Sequence, residues 1–174
     1  YGQTFDAKSF YKIYNDQGEV MNNCDAMDNM ANIILSKEAK GIAGQLFSIK
    51  KTGDNEVFIS LPAYEKALDY TSEAKENKLI IQWDGFDANI HQQWLLTELA
   101  DGAYLISPKR FPNLALSYRK DGKVQLVQRN DKEASQKWFI RKTNEGLPKT
   151  LNAVGEEYWE NEQIFAVNKE EGRN

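Results

Sequence analysis

Three short strings constrain this chain more than anything else in it: Gln45-Leu46-Phe47, Gln92-Gln93-Trp94 and Gln136-Lys137-Trp138. Each is a glutamine, one variable residue and an aromatic. Each is followed by a short strand-like run: Ser48-Ile49-Lys50, Leu95-Leu96-Thr97 or Phe139-Ile140-Arg141. The glutamines lie 47 and 44 positions apart. A period that regular marks internal repetition, which has to be recognised before any local structure is assigned.

The sequence between the strings repeats too. Each unit opens with an aromatic–aliphatic strand: Phe10-Tyr11-Lys12-Ile13, Val57-Phe58-Ile59 and Tyr104-Leu105-Ile106. A second strand follows near Val20-Met21, Ala67-Leu68-Asp69-Tyr70 and Leu114-Ala115-Leu116-Ser117-Tyr118. The third is Asn32-Ile33-Ile34-Leu35, Leu79-Ile80-Ile81-Gln82 and Val124-Gln125-Leu126-Val127, and the Gln-x-aromatic strand closes the unit. From Ile34, Ile81 and Leu126 to the glutamine is 11, 11 and 10 positions, so the register holds in all three copies.

These segments are short, β-branched or aromatic, and bounded by Gly, Asp, Asn and Pro, which predicts strands. Thr52-Gly53-Asp54-Asn55, Asp101-Gly102 and Asp121-Gly122-Lys123 are expected hairpin turns, each with a glycine able to take positive φ. No helical period is sustained before residue 145. Three copies of four short strands predict an all-β, pseudo-threefold β-trefoil over residues 8–145, closed so that few edges stay exposed, with a C-terminal extension over 146–174.

Composition removes most alternatives for function. His91 is the only histidine and Cys24 the only cysteine in 174 residues, so no disulfide framework and no metal site built on Cys or His is expected. A Ser-His-Asp triad and a histidine proton relay would compete for one residue. The net charge is −4, without a basic cluster, which argues against nucleic acid or an anionic membrane as partner. No apolar run approaches the ~20 residues that span a bilayer.

The Gln-x-Trp signature, three times at this spacing, resembles the ricin-type β-trefoil lectins over roughly residues 8–145. The resemblance implies that Gln45, Phe47, Trp94, Gln136 and Trp138 are structural, with the aromatic in the core and the glutamine bonded to turn backbone. It implies no cofactor. It also implies a separate sugar-binding set within a repeat: an Asp on the second strand, an aromatic platform ending the third, and a polar residue before the glutamine. The second repeat comes closest, with Asp69, Trp83 and His91-Gln92, and Asn89 able to add a polar contact. Asp69 to Trp83 is 14 positions and Trp83 to Gln92 is 9. The third repeat offers Ser117, Gln128 and Ser135 in those places, and the first offers Asn22 or Asn23, Ser36 and Gly44. At most one working site is expected, for a carbohydrate of galactoside type.

Beyond Asn144-Glu145-Gly146-Leu147-Pro148 the repeat ends and the sequence turns acidic. Trp159-Glu160-Asn161, followed seven residues later by Asn168-Lys169, resembles the entry segment of glycoside hydrolase family 2 β-galactosidases. In those enzymes it immediately precedes the jelly-roll domain. The expectation is a non-catalytic accessory module whose partners are a galactose-containing glycan and downstream catalytic domains. A structural spacer without ligand is the competing reading. A fragment that is itself a glycosidase is disfavoured, because retaining enzymes need two carboxyls about 5–5.5 Å apart and no such pair is suggested. A growth-factor-like or inhibitor trefoil would lack the regular Gln-x-Trp. The opening Tyr1-Gly2-Gln3-Thr4-Phe5 has neither an initiator Met nor an apolar signal segment, which suits a processed extracytoplasmic protein.

Overall fold

The structure is a computed structural model, described here for residues 3–148. Twelve strands follow in order: β1 (Phe10–Tyr14), β2 (Val20–Asn22), β3 (Ile34–Ser36), β4 (Ser48–Gly53), β5 (Glu56–Leu61), β6 (Lys66–Asp69), β7 (Ile81–Asp84), β8 (Gln93–Glu98), β9 (Tyr104–Pro108), β10 (Leu114–Tyr118), β11 (Val124–Gln128) and β12 (Phe139–Thr143). They divide into three four-strand units. Strands β1, β4, β5, β8, β9 and β12 form a closed ring. β1 pairs with β12, β4 with β5, β5 with β8 and β8 with β9. Single bridges at Tyr11–Phe47 and Tyr104–Trp138 join the rest. Closure leaves no free edge in the ring. The hairpins β2–β3, β6–β7 and β10–β11 cover one end, laced together by bridges Asn32–Ile81, Ile34–Lys123 and Leu79–Gln125.

Those bridges explain one departure from expectation. Asn32 and Ile33, and likewise Leu79 and Ile80, lie outside the third strands, which begin at Ile34 and Ile81. Their backbone pairs with the neighbouring repeat instead: the Ile33 N–H donates to the Ile80 carbonyl and the Ile80 N–H to the Val124 carbonyl. The turns hold a second departure. Gly102 and Gly122 take positive φ (86° and 87°), but between β4 and β5 it is Asn55 (φ 55°), not Gly53, that does so. Asparagine tolerates the left-handed region, so the turn closes without glycine there.

The core is one cluster in which the aromatics of the three strings meet. Phe47, Trp94 and Trp138 are fully buried, packed with Tyr11, Val57 and Tyr104 from the strands beside them. Both indole N–H groups find backbone acceptors, Trp94 at the Leu68 carbonyl (3.2 Å) and Trp138 at the Leu116 carbonyl (3.0 Å). A buried indole needs such a partner, and Phe47 needs none. The glutamines are equally regular. Gln45, Gln92 and Gln136 each end a single 3-10 turn and donate to a carbonyl eight residues back: Lys37, Asp84 and Gln128, all at 2.9 Å. Each accepts from an N–H six residues back: Ala39, Phe86 and Asn130. One amide thus ties the third strand of every repeat to its fourth.

Two features mark the seam between the first repeat and the last. Residues ahead of β1 fold across the ring, where Phe5 lies between Tyr11 and Tyr104 and the Gln3 N–H donates to the Tyr104 hydroxyl. Lys12, almost fully buried, bonds Glu38 of the first repeat and Glu145 beyond β12. Burial works to lower the Lys12 pKa, but the two carboxylates outweigh it and hold it above the usual lysine value. By register with the Phe47, Trp94 and Trp138 partners, Lys12 stands where the other repeats carry Phe58 and Leu105.

Candidate functional site

The expected site residues come from three neighbouring pieces of the second repeat. Register pairs Asp69 with Ile81 and Ala67 with Trp83, so Asp69 and Trp83 are diagonal neighbours on one face of the β6–β7 hairpin. The strand under Trp83 is braced at Asp84. Hydrogen bonds from Lys66 (2.7 Å) and Asn29 (3.1 Å) hold the Asp84 carboxyl below the usual carboxylate range. The third piece is the 3-10 turn Ile90–Gln92, whose first N–H groups lack intrahelical partners. Asn89 caps it, its Oδ1 accepting from the His91 N–H at 2.9 Å.

Together these pieces line an open cavity of about 260 Å³, walled by Asp69, Thr71, Ser72, Trp83, Asn89 and His91. Four of the five expected residues line it. The fifth, Gln92, is fully buried behind it and donates to Asp69 Oδ2 at 3.0 Å. Its place is to hold the carboxylate. Asp69 is itself buried, and its Oδ1 accepts from the backbone N–H groups of Tyr70 (2.6 Å) and Thr71 (3.1 Å). A carboxylate offers about four lone-pair sites. Three of those on Asp69 are used by the protein, which leaves room for about one external donor such as a hydroxyl.

Trp83 is the exposed wall, with 37% of its surface accessible, in contrast to the buried Trp94 and Trp138. The His91 ring leans on Tyr70, centroids 5.0 Å apart, and Tyr70 in turn meets Trp94 edge-on at 5.6 Å, so the wall rests directly on the core. Burial pushes the Tyr70 hydroxyl above the usual tyrosine pKa. Neither that hydroxyl nor His91 Nδ1 has a hydrogen-bond partner among the described residues. Thr71 and Ser72 were not expected in the site. They follow Asp69 directly and take positive φ (31° and 48°), turning their side chains onto the rim. A β-branched residue there is an outlier, and such strain is concentrated at functional places. Nothing in the residue types announces it.

The corresponding places in the other repeats are closed. In the third, Ser117 Oγ donates to Ser135 Oγ at 2.9 Å across the space that separates Asp69 from His91, and Gln128 reaches away to Glu76. In the first, Asn22 donates to Ser36 Oγ at 2.8 Å, and both are fully buried. Gly44 stands where His91 does, and a Cβ on it would lie 2.6 Å from Asn22 Oδ1 and 2.3 Å from Asn23 Oδ1. Amides fill that pocket. A further cavity, of about 330 Å³ beside Phe5 and Tyr104, contains Glu56, whose carboxylate is already engaged by Lys109 and Thr52.

No protein-family model and no curated protein matches this sequence. Solved structures do. A designed threefold-symmetric protein, ThreeFoil, superposes with a TM-score of 0.68 at 21% identity, covering 75% of this chain and 96% of that one. An exo-β-1,3-galactanase from Clostridium thermocellum gives 0.70 at 23% identity, over 81% of this chain but only 32% of the galactanase. A ricin B-like lectin from Macrolepiota procera, solved with lactose, gives 0.66 at 16% identity, covering 81% of this chain and 100% of the lectin. At these identities the likeness is one of architecture, and what it establishes is the fold: an all-β trefoil of the kind that ricin B-like lectins adopt.

Proposed function

We propose that this chain is a non-catalytic carbohydrate-binding module with one site, in the second repeat, for a galactoside-like sugar. The observation that carries the reading is the pocket itself. Among the described residues, only there does an exposed aromatic stand beside a buried carboxylate with spare accepting capacity, while the equivalent places are closed by Ser117–Ser135 and Asn22–Ser36. A sugar presents an apolar C–H face, which suits the Trp83 ring, and hydroxyl donors, which suit Asp69. One carboxylate lines the pocket, and glycoside hydrolysis requires two. Further support comes from the lactose held by the Macrolepiota procera lectin and from the trefoil carried by a galactanase.

The proposal extends to the parent protein. The Trp159-Glu160-Asn161 and Asn168-Lys169 segment, which lies outside the described residues, supports a following catalytic body of the glycoside hydrolase family 2 β-galactosidase type. Such a protein would work outside the cytoplasm on a galactose-containing glycan.

Calorimetric titration with methyl β-galactoside tests the binding half. Saturable heat is expected, lost in Trp83→Ala while the thermal midpoint stays within a few degrees, since the ring is partly exposed. No heat with any galactoside would leave the spacer reading, which the closure of two pockets out of three already favours as the alternative.

A further inference from the structure

Large apolar side chains left in water are not scattered over this molecule. Among the described residues five are exposed, and four of them, Met27, Met30, Trp83 and Phe86, belong to two segments that are tied together. The loop after β2 lies along β7, joined by Asn29 to the Asp84 carboxylate and by Gln82 to the carbonyls of Ala26 and Asp28. Exposed apolar surface gathered in one place marks a site of interaction.

Met30 is the member with the most unusual position. Gln82 faces two residues at once: its carbonyl accepts from the Met30 N–H and its N–H donates to the Ala31 carbonyl, both at 2.9 Å. Two residues opposite one make a β-bulge, here of the kind whose first residue is left-handed and ordinarily glycine. Met30 holds that position with a φ of 78° and 53% of its surface exposed. Neither backbone preference nor burial accounts for a methionine there. Bulges re-aim side chains, and this one brings Met30 to a cavity of about 450 Å³ that Leu79 and Ile81 also line. Ile81 and Trp83 are two residues apart on β7, so they share a face and stand roughly 7 Å apart along the strand. Met30 and Ile81 thus form an apolar step beside the Trp83 ring. The charges at that cavity, Lys75, Glu76 and Lys78, are mixed in sign and select no ion.

We propose that the ligand is a galactoside with an apolar aglycone, an alkyl chain or an aromatic ring, whose sugar lies over Trp83 and whose aglycone covers Met30 and Ile81. This rests on the reading of the Trp83 pocket as a sugar site. Covering the step removes apolar surface of both partners from water, which is the source of the added affinity.

The test is calorimetric titration of the whole chain with methyl, hexyl and phenyl β-galactoside. The hexyl or the phenyl galactoside is expected to bind about tenfold more tightly than the methyl one. A larger gain with hexyl identifies a lipid-like chain as the aglycone, and a larger gain with phenyl identifies an aryl group. Met30→Gln, close in size but polar, should abolish the gain and leave methyl β-galactoside unaffected. Met30→Gly should abolish it too, while its thermal midpoint holds or rises, because glycine suits a φ of 78°. Equal affinities for all three galactosides, or a gain that persists in both Met30 variants, would overturn the apolar step and leave the Trp83 reading standing. No binding of any of the three would overturn both.

Discussion

The second and third repeats share almost everything except what they leave open. Both set a buried tryptophan into the core with its indole N–H on a strand carbonyl, and both tie it down with the same glutamine bonded eight and six residues back. They part at three positions. Asp69, Trp83 and His91 line an open cavity, where Ser117 and Ser135 bond to each other and Gln128 leans away. The loop between the second and third strands differs as well: residues 70–80 in the second repeat, only 119–123 in the third. The scaffold is therefore threefold and the site is not. A repeat holds its shape through its glutamine and aromatic, and the outer three positions decide whether it keeps an open pocket.

The strongest way to break this comparison is at the shared part. Trp94→Ala and Trp138→Ala should each cost about 3–5 kcal/mol in urea denaturation, since a fully buried indole is removed in either case. Losses differing by more than that range would mean the scaffold is less symmetric than its hydrogen bonds. The next test separates clasp from site. Gln136→Ala removes only the clasp, at about 1–3 kcal/mol, whereas Gln92→Ala also takes a donor from buried Asp69 and should cost about 1.5–3 kcal/mol more. Equal costs would show that Asp69 does not depend on Gln92.

The first repeat sharpens the comparison differently, because it meets the last through ions. Burial tends to raise the Glu145 pKa, but Lys12, the Gly41 N–H and Thr143 outweigh it and hold it below its ordinary value of 4.5. A depressed carboxylate stabilises the fold above its unfolded pKa and loses that contribution as pH falls through the folded value, so the loss lies below pH 4.5. Glu145→Gln should cost about 1.5–3 kcal/mol at neutral pH and flatten the acid limb of the stability profile. An unchanged acid limb would place the linkage on another group. The smallest effect is expected in the turns. Gly102→Ala should cost about 1 kcal/mol, because its φ is 86° and no neighbour lies within 4 Å of an added Cβ, so only backbone strain enters. Asn55→Gly, in the matching turn, should change stability by less than half of that in thermal melts.

How much of this was legible in the sequence follows from what repetition can carry. Twelve strands, the closure and the buried aromatics were readable because their residues recur at fixed spacing. Asp69, Trp83, Asn89 and His91 were readable as a group because the resemblance to ricin-type lectins joined them, and the structure gathers all four around one cavity. Gln92 was included with them, and its position behind Asp69 depends on burial, which spacing does not report. Thr71 and Ser72 escaped for a physical reason. They owe their place to positive φ values that Thr and Ser rarely take. The tail residues 159–161 and 168–169 lie outside the described residues, and their assignment rests on sequence alone.

The pairing of β1 with β12 runs unbroken from Phe10 opposite Thr143 to Tyr14 opposite Phe139, and it joins the first strand of the ring to the last. A ring sealed by its own first and last strands has a movable beginning. Joining the chain across residues 143 and 10 and reopening it at the 100–102 turn would give a protein that starts with its third repeat, yet every ladder would survive. In such a rearranged chain the second repeat would come last, so that the pocket at Trp83 would be completed by the final strand to dock rather than by one in the middle.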